Sequence, residues 1–349
     1  MTDTAQKTAS PPAAFEDYLN ARAERMNTLV ASYFSGVAQG STADMKRYLY
    51  EPLAAYSANG GKRHRPLICT LACEAVGGDP DRAAAAAAAI EHFHTAALIH
   101  DDIADESLLR RGEPCMHLTQ GEGLAINAGD LALSQVTGLV VEDMSLSDAI
   151  KLRVLDELVQ MTQRTIEGQA LDIGWARDGR FDIRVEDYLI MATHKTAYYS
   201  GATPLAVGAI IGGGNETQIE ALRSFGLSSG LAFQIQDDLL NLIGTKESTK
   251  KDFRSDITEG KRTLIAVHAI QHSERSDELV ELLSTHVSAV DDLARVVALM
   301  DAAGSLAFAH DYAIKLVNKA KSELSEVLLA SRARELLLTM ADYFIARMS

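Results

Sequence analysis

The sequence predicts an all-α protein, and three observations carry that expectation. Apolar residues recur at helical spacing in long segments rich in Ala, Leu, Glu and Arg. Strand-type alternation bounded by turn pairs is scarce. Only seven prolines occur and none follows Pro204, so nothing of that kind interrupts the C-terminal helices.

Taken in chain order, residues 1–12 are polar, end in Pro11-Pro12 and are expected to be disordered, with a single helical domain over 13–349. Helices are expected near 13–37, 43–57 and 64–76, the third lying between Gly60-Gly61 and Gly77-Gly78. The next, 80–104, contains the seven alanines Ala83–Ala89, which maximise helix propensity and let neighbouring helices come close. Beyond Gly112 come 122–142, 147–170, 185–194 and 196–212, the last closed by Gly212-Gly213-Gly214. Helices over 216–243, 261–272, 275–286, 289–302, 305–330 and 331–346 complete the chain. No solenoid-type repeat and no linker-like change of composition appears.

A chain of 349 residues, 47 % hydrophobic, can bury a sizeable core. Its 33 Lys and Arg against 48 Asp and Glu leave a net charge of −15, which argues against a nucleic-acid partner. Cys69, Cys73 and Cys115 read as small buried thiols in a reducing compartment. The N-terminus has no apolar signal core, and no stretch approaches about 20 uncharged apolar residues, so a cytoplasmic protein without stable membrane insertion is expected.

The helix 80–104 ends in Asp101-Asp102-Ile103-Ala104-Asp105. Asp101 and Asp105, four apart, project from one helix face, where like charges repel. A hard divalent cation with oxygen ligands relieves that repulsion. A second pair, Asp237-Asp238, follows Phe233-Gln234-Ile235-Gln236 in an apolar helix, where adjacent carboxylates are costly to bury without a cation. Two such pairs at helix ends suggest two helices facing each other across a cavity.

Cations cluster beside glycines and near these aspartates. Lys62 and Arg65 lie in Gly60-Gly-Lys-Arg-His-Arg-Pro66, Arg110-Arg111-Gly112 follows the first acidic cluster, and Lys195-Thr196 sits at a helix junction. Lys250, Lys251 and Lys261-Arg262 follow the second cluster. Glycine permits close backbone approach, and arginine presents a fork that fits a diphosphate. His94 stands two turns before Asp101 on nearly the same face, placed for a diphosphate contact. Metal ions bridging carboxylates to diphosphate oxygens reconcile an acidic protein with an anionic substrate.

In their order, these segments resemble the trans-isoprenyl diphosphate synthases, or polyprenyl synthetases. The matching segments are Gly60–Pro66, Glu91-His-Phe-His94 through Asp105, Arg110–Gly112, Lys195-Thr196, and Phe233–Asp238 with Lys251, Asp256 and Gly260-Lys261. The resemblance, which is to the geranylgeranyl diphosphate synthase type, implies a helical bundle around a deep central cavity, usually homodimeric. It implies that isopentenyl diphosphate is bound by Lys62, Arg65, His94 and Arg111. The allylic diphosphate would be held by Arg110, Lys195, Gln234, Lys251 and Lys261. Asp101, Asp105 and Asp237, supported by Asp102 and Asp238, would hold a cluster of about three Mg²⁺. The implied reaction is ionisation of the allylic diphosphate, condensation and proton loss, with Lys195, Thr196 and Gln234 assisting and the departing diphosphate taking the proton. One departure stands out: the second cluster usually ends in Asp, and this chain has Asn241 there, a neutral carbonyl in place of a carboxylate.

Product length should depend on the helix below Asp101, where each turn rises about 5.4 Å, close to one isoprene unit. Ala96 and Ala97 leave room, and Phe93 one turn deeper would close the tunnel, which suggests a C20 product. Farnesyl or longer products, a class I terpene cyclase and a non-catalytic synthase subunit are the alternatives.

Overall fold

The alanine run shows how local propensity becomes packing. Asp79 caps a 3₁₀ turn over Pro80–Ala83, accepting from the Asp81 amide at 3.0 Å, and a straight helix follows. Ala83 and Ala85–Ala89 are all buried, so the run meets other helices with almost no side chain between. The computed structural model describes residues 11–36, 40–244 and 254–346.

The first described elements are α1 (Pro11–Gly36), α2 (Ala43–Met45), α3 (Glu51–Ala58), α4 (His64–Ala75) and α5 (Ala84–Ala104). A hairpin of β1 (Leu109–Arg110) and β2 (Glu113–Pro114) leads to α6 (Met116–Gln120), α7 (Glu122–Glu142), α8 (Asp148–Arg177) and α9 (Val185–Ala192). There follow α10 (Thr203–Ile211), α11 (Glu216–Ile243), α12 (Ser255–Thr258), α13 (Leu264–His272), α14 (Ser276–Ser284), α15 (Val290–Ala302), α16 (Ser305–Val327) and α17 (Arg332–Ile345). Thr42, Ser147, Asn215, Thr263 and Ser331 supply side-chain N-caps, Asn215 within a reciprocal box with Gln218.

The all-α expectation therefore holds, with particular differences. The helix expected over 43–57 contains a π segment, Lys46–Tyr50, and a second π segment, Thr193–Ala202, joins α9 to α10. The helix begun at Asp148 continues through Gly168 and Gly174 to Arg177 and ends only at Asp178-Gly179, where Gly179 takes a positive φ of 60°. The hairpin, α6 and α12 were too short to carry a periodic signal. Residues 1–10 lie outside the described residues, and α1 already begins at Pro11.

One large core includes residues of α1, α4, α5, α8, α10, α11, α13, α16 and α17, and a smaller cluster joins α1, α3, α5 and α7. Each fully buried Leu, Ile or Phe contributes about 1.5–3 kcal/mol. Packing is tightest where glycine removes the side chain. A Cβ on Gly168 would stand 2.1 Å from the Lys195 backbone nitrogen, so only glycine lets α8 touch the second π segment. Cys69, Cys73 and Cys115 are buried, as expected, and form no disulfide among the described residues; burial pushes the Cys73 thiol up to about 11. By length and composition α7 could cross a bilayer, and α15 with α16 passes the same test only as a pair bent by 62°. Here α7 packs along α5 and carries Asp130 at mid-length.

Candidate active site

The first acidic cluster occupies the C-terminal end of α5, and its three carboxylates go to different partners. Asp101 accepts from Gln169 Nε2 at 3.0 Å and from Arg110 Nη2 at 3.4 Å. Asp102, whose side chain is 1 % exposed, accepts from Arg110 Nε at 2.7 Å and from the Tyr56 hydroxyl at 2.6 Å. Asp105 accepts from Lys261 Nζ at 3.0 Å. Burial, and then the charge of Asp101, raise Asp105 above the usual carboxylate range.

The hairpin explains how adjacent arginines serve different corners. Arg111 and Gly112 both have positive φ, 56° and 88°, the backbone of a two-residue type I′ turn. Arg110 in β1 reaches Asp102 and Asp101, whereas Arg111 donates to the Gly60 carbonyl. Gly61 (φ 114°) makes this possible, since a Cβ there would lie 2.9 Å from Arg111 Nη2.

Beside Arg111 lies a cationic corner. Arg65 is 6 % exposed, donates to Ser200 Oγ at 2.8 Å and covers the Tyr199 ring at 4.6 Å. His94 stacks on the same ring at 5.8 Å. Burial, then the charges of Arg65, Arg111, His64 and Arg110, hold its imidazole well below the usual range. Lys62 donates to the Tyr343 hydroxyl. Arg65 Nε and His94 Nδ1 are buried without a hydrogen-bond partner, a costly state that an oxygen-rich anion would relieve.

The second cluster is a buried relay. Thr196 Oγ1 donates to Gln234 Oε1 at 2.6 Å, and Gln234 Nε2 donates to Asp238 Oδ1 at 2.7 Å. The Tyr188 hydroxyl donates to Asp238 Oδ2 at 2.7 Å. Burial, then the charge of Asp256, push Asp238 up to about 8 against the pull of both hydrogen bonds. Asp237, half-buried, precedes it. Asn241 is turned to α12: it donates to Ser255 Oγ at 3.2 Å and accepts from the Asp256 amide at 3.3 Å.

The π segment brings these halves together. Its wider turn carries Lys195 and Thr196 toward α8 and α11, and Tyr199 and Ser200 toward Arg65. Lys195 is bonded to Asp172; burial opposes its charge, but Asp172 and Asp101 outweigh it, so its pKa is raised. For Lys261, burial is likewise outweighed, by Asp256, Asp105 and Asp101. Lys195 and Lys261 thus both feel Asp101 of the first cluster, and Lys261 also feels Asp256, which follows the second. Of the expected site residues, only Lys251 lies outside the described residues, as does its neighbour Lys250.

Phe93 is buried and its ring stands 5.8 Å from that of Tyr199. Ala97 packs on the same large core, while Ala96 belongs to the smaller cluster with Ala128 and Ala132 of α7. The three expected length-setting positions therefore divide between two cores.

Sequence reasoning missed Tyr56, Gln169, Asp172 and Tyr188. The available signal was Gly168 inside a long helix, followed by two polar side chains three residues apart.

Among the described residues no three His, Cys, Asp or Glu side chains form a ready-made metal cage. The donor set still fits Mg²⁺, which is commonly bound through one or two carboxylates plus substrate phosphates. Crowded carboxylates with raised pKa values, and lysines drawn onto Asp105 and Asp172, mark a site short of positive charge.

Residues 46–300 match the polyprenyl synthetase family. The chain is 42 % identical over 290 residues to the short chain isoprenyl diphosphate synthase of Methanothermobacter thermautotrophicus, covering 82 % of this chain and 87 % of that one. The fold superposes on the geranylgeranyl pyrophosphate synthetase of Pyrococcus horikoshii with a TM-score of 0.86 at 34 % identity, covering 95 % and 98 % of the two chains. It also superposes on a geranylgeranyl pyrophosphate synthase of Corynebacterium glutamicum complexed with isoprenyl diphosphate and magnesium. There the TM-score is 0.86 at 29 % identity, over 94 % and 99 % of the chains.

Proposed function

This chain belongs to the polyprenyl synthetase family and is a prenyltransferase, and we propose that it condenses isopentenyl diphosphate head-to-tail with C5 to C15 allylic diphosphates, making mainly C20 geranylgeranyl diphosphate. The observation that carries this reading is the 3.0 Å contact of Lys261 with Asp105, which seats the segment after the second acidic cluster directly on the first.

In this reading Lys62, Arg65, His94 and Arg111 grip isopentenyl diphosphate. The unpartnered Arg65 Nε and His94 Nδ1 support that assignment. Arg110, Lys195, Gln234, Lys251 and Lys261 hold the allylic diphosphate. Asp101, Asp105 and Asp237 would hold Mg²⁺, about three ions, with Asp238 oriented by Tyr188 and Gln234. Asp102 contributes indirectly, by fixing Arg110. When bound, Mg²⁺ supplies Lewis-acid stabilisation of charge on the leaving diphosphate.

Arg110, Lys195 and Lys261 are preorganised to receive that charge as the allylic carbon–oxygen bond breaks. The isopentenyl double bond attacks the cation, and the departed diphosphate takes the proton. The Thr196–Gln234 pair lends its dipoles to the cation. Closure of the site against water prevents quenching. Phe93, beside Tyr199, stands one helical turn below Ala97, so it would close the path about one isoprene unit deeper than a block at Ala96 or Ala97 would, which is the basis of the C20 assignment.

A homodimer is part of the proposal. Leu152, Val159, Ile166 and Ile173 recur every seven residues on α8 and are 68, 59, 59 and 41 % exposed. A heptad stripe of this kind pairs with its own copy in a two-fold interface. Ile166→Glu should shift the chain to monomer in light scattering.

The decisive assay incubates the purified chain with isopentenyl diphosphate, Mg²⁺ and each of the C5, C10 and C15 allylic diphosphates, then resolves the products by chromatography. A C20 prenyl alcohol after dephosphorylation, abolished by EDTA, is expected. A longer main product would move the floor away from Phe93. Cyclic hydrocarbons, or no turnover at all, would reject the synthase reading.

A further inference from the structure

Between Lys62 and Arg65 stands a third cation that points the other way. Arg63 has a left-handed backbone (φ 49°) and is 5 % exposed, with its side chain turned inward. Its Nη1 pairs with Glu91 of α5 at 2.5 Å. Its Nε donates to Asn27 Oδ1 of α1 at 2.9 Å, and its Nη2 donates to the Ser57 carbonyl of α3. Three helices thus converge on one guanidinium.

A buried charge holds its position firmly, because any displacement strips it of partners that water cannot replace. A left-handed arginine likewise persists only where its surroundings hold it. The residues on either side of this fixed point carry the groups of the cationic corner. Glu91 also acts on Arg111: burial and Arg63 lower the Arg111 pKa, and Glu91 opposes them.

We propose that Arg63 is a positioning residue for the isopentenyl diphosphate grip, and that α1 enters that grip through Asn27. The inference rests on the reading of Lys62, Arg65, His94 and Arg111 as the isopentenyl diphosphate corner. It gives the N-terminal helix a part in substrate affinity although no residue of α1 needs to touch substrate.

Asn27 is exposed, so Asn27→Ala removes the acceptor on Arg63 Nε without opening the core, and Asn27→Asp keeps an acceptor there. Steady-state kinetics of the full chain with Mg²⁺, varying isopentenyl diphosphate and then farnesyl diphosphate, separates the two substrates. Asn27→Ala should raise the KM for isopentenyl diphosphate roughly threefold to tenfold, with kcat and the allylic KM within about twofold. Asn27→Asp should return it toward the parent value. Arg63→Lys, which cannot reach three partners at once, should raise the same KM further. An unchanged isopentenyl KM in Asn27→Ala, or parallel changes in both KM values and kcat, would overturn the proposal. Lys62→Ala separates the two levels. If it leaves the isopentenyl KM unchanged, the reading of the corner fails; if it raises that KM while Asn27→Ala does not, only the inference about α1 fails.

Discussion

The Tyr188 phenol donates a 2.7 Å hydrogen bond to Asp238, both side chains being buried. That contact fixes one oxygen of the second acidic cluster from α9, fifty residues earlier. Tyr188→Phe leaves the oxygen buried without its donor, at a cost of about 1–3 kcal/mol. Urea unfolding in EDTA should show the loss as a lower midpoint at unchanged slope. An unchanged midpoint would mean that Gln234 alone satisfies Asp238.

Phe93 packs against Tyr199 rather than standing free in a tunnel. Phe93→Ala should lengthen the main product beyond C20 and cost about 3–5 kcal/mol of stability. Chromatography of the products decides between a floor and an ordinary core residue. The same chain length from a folded variant would assign Phe93 to the core alone.

The acidic clusters and the paired arginines were legible in the sequence because each is a local pattern: carboxylates four apart, or charges beside glycine. The partners that orient them were not. Tyr188, Asp172 and Gln169 are single polar residues on long helices, and only the packing of α8 and α9 against the π segment brings them to Asp238, Lys195 and Asp101. The π segment itself has no periodic signature. Nor could sequence distinguish Arg63, turned into the protein, from Lys62 and Arg65. That distinction depends on a positive φ and on Glu91, both supplied by the fold.

His92 is fully buried and stacks on Phe34 at 3.7 Å. Burial lowers its pKa from 6.5 to about 4, with Gln135 partly opposing. The unfolded chain therefore binds more protons than the folded one between these values. The His92 contribution to stability is complete above pH 6.5 and is lost as pH falls toward 4, a difference of about 3 kcal/mol. Thermal midpoints at pH 7 and pH 5 should show a smaller drop for His92→Gln than for the parent. Identical drops would remove His92 from the account of acid sensitivity.

Asn241 stands where an aspartate is usual in the family resemblance, yet its amide is engaged with Ser255 and Asp256. Asn241→Asp should lower the melting temperature in EDTA modestly, because the donor to Ser255 Oγ is lost while the Asp256 amide keeps its acceptor, and should change kcat in Mg²⁺ by less than about threefold. Asp237→Ala should reduce kcat by about 10²–10³. Comparable kcat losses in the two variants would show that position 241 still serves the metal.

The Arg111-Gly112 turn sends two neighbouring guanidinium groups to separate destinations. A two-residue turn with both residues at positive φ cannot lose a residue without opening the hairpin, so shortening this loop would aim neither guanidinium as it is now. Both positive charges would remain in the composition, while Asp102, Asp101 and the Gly60 carbonyl lost their present guanidinium partners. The count of residues between Asp105 and Glu113 is therefore held by geometry more strictly than the surface character of those residues would suggest.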